Sequence, residues 1–171
     1  MIIAIFGKSS SGKTTLAKDV HGALNLPLRC CGEEVKARAA KLGVSLDKLT
    51  DDVHRLIDQE TIRWVVGQPA CIVEGRYLDR VLSSIANKIL LVELIANTTV
   101  RFQRSQKRSS HPLDFDSFLD AEEADLAFRE RMYSMEPARQ PFSVIDSSEL
   151  SVEACTSQIL ALVDPAQFLR D

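Results

Sequence analysis

Gly7-Lys8-Ser9-Ser10-Ser11-Gly12-Lys13-Thr14 matches the pattern G-x(4)-G-K-[ST] at every position. The chemistry of that spacing is phosphate binding. Two glycines let the backbone turn tightly enough for successive N–H groups to point at one anion. A helix opening at the end of the turn adds positive potential. Lys13 is then placed to reach the β- and γ-phosphates of a nucleoside triphosphate, and Thr14 offers a hydroxyl to Mg²⁺. The alternative is a serine-rich turn that only caps a helix. The flanks decide against it, because an apolar run precedes Gly7 and a helical pattern follows Gly12.

Two further groups have the residue types that anion chemistry needs. Glu74-Gly75-Arg76 follows the apolar Ile72-Val73. The planar fork of Arg76 suits two-point binding of a second anion, the alternative being a surface arginine in a turn. Glu74 either orients a Mg²⁺-bound water or is a structural carboxylate, and the residues leave both open. Arg101, Arg104 and Arg108 recur at i, i+3 and i+7, on one helical face. Arg129 and Arg131 lie beyond the polar stretch Ser109-Ser110-His111-Pro112. As a group these cations read as a lid that closes on a transferring phosphoryl, screens its charge and excludes water. Taken singly, any of them is equally a member of a solvated helix paired with Glu122, Glu123, Asp125 or Glu130.

The elements that must position these residues follow from periodicity. Residues 2–6, 28–31, 71–73, 89–95 and 142–145 read as strands, the first as a continuous apolar run of a buried sheet and the fourth as the strongest strand in the chain. Helices are expected over 13–24, 32–42, 51–66, 77–85, from Asn97 or Thr98 to about 108, 118–135 and 152–163, with a loop over 109–116. Pro137 and Pro141 break the sixth of these. Strands alternate with helices, so parallel βαβ units follow. The expected fold is α/β: a P-loop NTPase three-layer αβα sandwich on a parallel sheet of about five strands. The chain, 1–171, is read as one domain with helical excursions near 32–66 and 109–136.

The bulk numbers agree and exclude other classes. The chain has 171 residues, 45% hydrophobic and 26% charged, with a formal net charge of −3. That composition suits a globular domain with one core and not a nucleic-acid binder. No basic n-region precedes Gly7 and no apolar run reaches membrane-spanning length. Cys30, Cys31, Cys71 and Cys155 form no CxxC pair and no zinc spacing, so they read as free thiols of a reducing cytoplasm. GTPase signatures such as NKxD are absent, since Asn87-Lys88 runs into Ile89-Leu90. A small kinase with ATP and Mg²⁺ fits this size best. Its expected partners are small nucleotides, with no nucleic acid and no membrane, and a monomer is expected.

In this light the chain resembles the nucleoside-monophosphate kinases, and among them the short, archaeal-type cytidylate kinases. The resemblance is carried by the P-loop with Thr15-Leu16-Ala17, by Cys31-Gly32-Glu33 before Gly43-Val44-Ser45-Leu46, and by Leu56-Ile57-Asp58. Ile72 to Arg76, Val100-Arg101 with Arg104, Lys107 and Arg108, and the tail from Val144 to Ser148 complete it. It implies an ATP site at Gly7, Lys8, Ser9, Ser10, Ser11, Gly12, Lys13, Thr14 and Thr15. It implies an acceptor site at Gly32, Lys36, Asp58, Arg76 and Arg129. It implies catalytic roles for Lys13, Arg104, Arg108 and Arg131, with Mg²⁺ directly on Thr14 and through water on Glu74. The implied reaction is phosphoryl transfer to a nucleoside monophosphate, CMP or dCMP. The chain departs from the family at Lys36, where arginine is usual, at Cys30 (serine), at Gln59 (often basic) and at Ser109 to Pro112 (a glycine/lysine-rich lid).

An acceptor phosphate is already a good nucleophile, so no general base is needed, and His21, His54 and His111 need no catalytic role. Trp64 reads as core rather than as a base-stacking platform. Two rivals remain. One is a kinase acting on a hydroxyl, with Glu74 or Asp58 as base. The other is a non-catalytic nucleotide-binding protein.

Overall fold

The computed structural model describes residues 1–85, 89–108, 112–133 and 142–163. His111, Pro137, Pro141 and the lid residues 109–111 and 134–136 lie outside them. Five strands form one all-parallel sheet: β1 (Ile2–Phe6), β2 (Leu28–Cys30), β3 (Cys71–Glu74), β4 (Ile89–Ile95) and β5 (Ser143–Asp146), in the order β2-β3-β1-β4-β5. Seven α-helices accompany it among the described residues: α1 (Lys13–Leu24), α2 (Cys31–Leu42), α3 (Asp51–Val66), α4 (Leu78–Val81), α5 (Thr98–Arg108), α6 (Phe115–Met132) and α7 (Val152–Leu162).

Strand alternation builds two cores, one on each side of the sheet. Ile3 and Ile5 of β1 pack with Leu16, Ala17 and Val20 of α1 and with Cys155 and Ile159 of α7. Ile2, Ala4 and Phe6 point the other way, onto Val65 of α3 and Leu78 of α4. A central strand buried on both faces has no polar side to show, which is why β1 reads as an unbroken apolar run. None of the helices among the described residues is long and apolar enough to cross a membrane.

Register sets the site. β1 and β3 pair with Ile5 opposite Glu74, and β2 and β3 with Cys30 opposite Glu74. The carboxyl ends of three strands therefore lie side by side where β1 runs into the P-loop. After β1 the chain goes to one side for β2 and β3 and later to the other for β4, so this is the switch point of the sheet, where open α/β folds bind ligands.

Two helices differ from expectation. The helix expected over 77–85 ends at Val81 and gives way to turns, in which the Arg80 carbonyl accepts the Ser83 N–H at 3.1 Å and the Ser83 hydroxyl at 2.7 Å. The helix expected to start at 118 starts at Phe115. Asp114 caps it by accepting from the Ser117 N–H at 2.7 Å, and Phe115 and Phe118 pack edge-on against Phe102 of α5.

Candidate functional site

The turn between β1 and α1 has the backbone that its glycines allow. Gly7 has φ 140° and Gly12 φ 99°, and Ser10 also adopts a left-handed conformation at φ 61°. At Gly7 a Cβ would lie 2.3 Å from the Leu94 carbonyl oxygen of β4, so only glycine lets the loop cross the sheet edge there. Lys13 is buried and donates to the Lys8 carbonyl at 2.7 Å, which bends the side chain back over the loop. Burial pushes its ammonium down to about 8, against the opposing pull of Glu74. Ser11 is fully buried and its hydroxyl has no partner among the described residues. Lys8 and Thr15 are exposed, Ser9 and Thr14 half-buried.

Glu74 stands at the mouth of this loop. Thr14 donates its hydroxyl to Glu74 Oε1 at 3.1 Å. Burial raises the Glu74 carboxyl above its usual range, while Lys13 and the Thr14 hydrogen bond pull it down. One hydroxyl and one carboxylate beside a phosphate loop are hard oxygen donors of the kind Mg²⁺ takes with phosphates and water, so the residues fit that ion. Cys30, across from Glu74 in the sheet, is pushed up to about 12 by burial and then by Glu74, which leaves a protonated, unreactive thiol beside the carboxylate. Gly32, the second residue of α2, also faces this carboxylate, since a Cβ there would lie 4.0 Å from Glu74 Oε1.

The arginines do not act as one face. Arg101 is buried and locked to Glu122 of α6, the Ala96 carbonyl and the Thr98 hydroxyl. It fastens α5 to α6. Arg104 donates to the Ser11 carbonyl at 3.0 Å and to the Ser147 carbonyl at 2.7 Å. Arg104 thus ties α5 to the P-loop and to the turn after β5 in this arrangement. Arg108 reaches the same loop, donating to the Ser10 hydroxyl at 3.3 Å. Arg129 and Arg131 are not brought to the P-loop by any contact described. Arg129 pairs with Asp79 at 2.7 Å and Arg131 with Asp51 at 2.9 Å, each neutralised by a nearby carboxylate.

On the acceptor side, Arg76 stands two residues past the end of β3 and forms an ion pair with Asp125 of α6. Asp58 accepts from the Tyr133 hydroxyl at 2.7 Å, and burial raises its carboxyl against that hydrogen bond. Lys36 is exposed and has no ion-pair partner among the described residues. Trp64 is half-buried with the Arg29 guanidinium over its ring, 6.0 Å from the centroid. Sequence reasoning missed two groups. Ser147, beyond β5, donates to the Ser11 carbonyl at 2.8 Å and accepts from Arg104, tying the last crossover to the P-loop. Glu122 and Asp125 hold Arg101 and Arg76. Both acids had been visible only as generic partners of a charged helix, and nothing in the local pattern selects which arginine each one meets.

No protein-family model matches the chain. It is 33% identical over 121 residues to the cytidylate kinase of Archaeoglobus fulgidus, a match covering 66% of this chain and 64% of that one. It is 28% identical over 142 residues to the cytidylate kinase of Pyrobaculum islandicum, covering 79% and 74%. The chain thus spans just under two thirds of the length of the first of these curated relatives. The crystal structure of shikimate kinase from Aquifex aeolicus superposes with a TM-score of 0.61 at 19% identity, over 99% of this chain and 100% of that one, and at that identity it speaks for the fold alone. The chain has the αβα fold of the P-loop kinases, and in sequence it is similar to archaeal cytidylate kinases.

Proposed function

We propose that this protein transfers a phosphoryl group from ATP·Mg²⁺ to a nucleoside monophosphate, CMP or dCMP, giving ADP and the diphosphate. One observation carries the reading. The β1/β3 register puts a phosphate loop with a buried lysine next to Glu74, and Arg76 follows two residues later. A donor-phosphate cradle and a cation suited to a second phosphate thus share one sheet edge. The similarity to archaeal cytidylate kinases supports both the class and the base.

In this reading the loop N–H groups and Lys13 hold the donor phosphates, and Arg108 closes beside Ser10. Thr14, with Glu74 behind a water, would hold Mg²⁺, which would supply charge screening for the phosphates. Arg76 and Lys36 grip the acceptor phosphate, Gly32 and Asp58 line its site, and positioning of the two anions does most of the catalytic work. Residues 32–66 serve as the acceptor-binding excursion and 109–136 as the lid, with Arg129 and Arg131 released from their ion pairs when it closes. The protein acts as a monomer in the cytoplasm.

A hydroxyl acceptor would need a base. Glu74 accepts from Thr14 through Oε1 and Asp58 from Tyr133 through Oδ2, so a hydroxyl acceptor would have to use the second oxygen of one of these carboxylates as its base. The test is a panel of nucleoside monophosphates, nucleosides and small polyols with ATP·Mg²⁺, read as ADP release. Turnover with CMP or dCMP and none with the hydroxyl acceptors is the expected result. Turnover only with a hydroxyl acceptor, or none with any, would sink the proposal.

A further inference from the structure

Arg76 is not free in this structure: the carboxylate of Asp125 holds it. The Tyr77 hydroxyl also donates to the Asp125 main-chain carbonyl at 3.1 Å, so helix α6 is pinned beside the end of β3 at this point. The rest of α6 is fastened in the same currency of charge. Glu122 holds Arg101 and lies 3.8 Å from the Lys8 ammonium of the P-loop, and Arg129 and Arg131 reach Asp79 and Asp51. Apolar contacts seat it as well: Phe118 is buried, Phe115 and Phe118 pack against Phe102, and Phe128 packs against His54 and Tyr77, while Leu119 and Leu126 are exposed. The half-exposed Arg76–Asp125 pair is the part of this seat that a competing ion can open.

We infer that Asp125 sets acceptor affinity and specificity by occupying Arg76 until a phosphate displaces it. The inference rests on the proposed function, in which Arg76 receives the acceptor phosphate. Its chemistry is a competition of anions. A carboxylate offers one negative charge, whereas a phosphate monoester near neutral pH carries between one and a half and two, roughly, with three acceptor oxygens. The phosphate therefore takes the guanidinium fork from Asp125. An uncharged sugar or nucleoside hydroxyl cannot, and meets a closed ion pair instead. Asp125 thereby raises the discrimination between phosphorylated and unphosphorylated acceptors at the expense of absolute affinity, the usual trade when a site is built against the wrong ligand.

The test uses the full chain and the variants Asp125→Asn, Asp125→Ser and Arg76→Ala, each checked for a wild-type thermal transition. The two Asp125 variants guard against a fold defect in either one. Two probes are titrated: CMP by calorimetry, and inorganic phosphate, which needs no base recognition, by phosphorus NMR. Removing the competing charge from a half-exposed pair is expected to tighten both probes by about two- to tenfold. Arg76→Ala should weaken both, and combining it with Asp125→Asn should abolish the gain. Cytidine binding should not tighten in the Asp125 variants. Unchanged affinity for both probes in both Asp125 variants, with Arg76→Ala still weakening them, would overturn the role of Asp125 and leave the proposed function standing. If CMP fails to bind the wild type, that function fails on its own account, and inorganic phosphate alone decides the competition at Arg76.

Discussion

Lys13 carries the heaviest expectation of any single residue. Its ammonium is buried and bent onto the Lys8 carbonyl, so it is a fixed donor awaiting a phosphate. Lys13→Ala should lower kcat by about 10²–10³, the usual loss for one preorganised electrostatic donor, with the thermal transition retained. A purified Lys13→Ala protein with near wild-type kcat would remove the phosphate-cradle reading. The same burial makes a pH prediction. In the free protein Lys13 loses its proton as pH rises through about 8. Bound to phosphates it must be protonated, so binding above that pH takes up a proton. With Mg²⁺ saturating, the Kd for ATP should be flat below about pH 8 and rise toward tenfold per pH unit above it. Titration calorimetry at pH 7, 8 and 9 checks this, and a flat profile to pH 9 would mean that Lys13 is not thus perturbed. On the acceptor side, Arg76→Ala should raise KM for the monophosphate by about ten- to a hundredfold, the worth of a charge-assisted contact, and leave KM for ATP unchanged. Lys36→Arg should keep or improve activity, since the fork adds a second contact point. Untouched monophosphate kinetics in Arg76→Ala would move the preference to a hydroxyl acceptor.

Between elements, the structure shows why part of the site can be read from the sequence and part cannot. The P-loop is legible because strand, turn and helix are contiguous, and the chemistry lives in one stretch of chain. Glu74 was within reach, because a carboxylate at the end of a buried strand has few places to go in a parallel sheet. The arginines were not. Arg101 and Arg104 share a helical face, yet a few ångströms of packing decide that one meets Glu122 and the other meets Ser11 and Ser147. Those partners lie tens of residues away, and local periodicity holds no record of them. The start of α6 was missed for a different reason. Pro112 and Asp114 read as loop, while Asp114 in fact caps the helix. Ser147 makes the element-scale prediction. Its hydroxyl joins the end of β4, α5 and the P-loop, sharing its one O–H between the Ser11 and Ile95 carbonyls and accepting from Arg104. Ser147→Ala removes the hydroxyl, while Arg104 still reaches the Ser11 and Ser147 carbonyls and the Ser147 N–H still reaches the Ile95 carbonyl, so stability should fall by about 0.5–1.5 kcal/mol, the net worth of one hydrogen bond. Affinity for ATP should weaken with it, while KM for the monophosphate stays put. Chemical denaturation and steady-state kinetics separate these effects, and equal losses for both substrates would mean that Ser147 supports the whole fold rather than the loop.

Taken as a molecule, the protein is a rigid sheet with a helical arm over its working edge. The sheet buries β1 on both faces and has no reason to move. Helix α6 is fastened instead from its middle to its C-terminal end by ion pairs to α5, to the residues after β3 and to α3, and at its start by Phe115 and Phe118 against Phe102. A transfer reaction between two anions must be screened from water and then opened for release, and loosely held elements are the ones that move. Hydrogen exchange should therefore divide the chain. With a bisubstrate analogue that joins adenosine and cytidine through a phosphate chain, amides of residues 112–133 and 32–66 should gain protection, while those of β1 and β4 stay fixed in both states. ATP alone should protect the P-loop and leave 112–133 near its free-state exchange, because Asp125 still occupies Arg76 until the second phosphate arrives. The order of these responses is the discriminating measurement. Equal protection of 112–133 with and without the bisubstrate analogue would make α6 a fixed wall of the site. Full protection by ATP alone would mean that closure answers to the donor nucleotide and not to the acceptor.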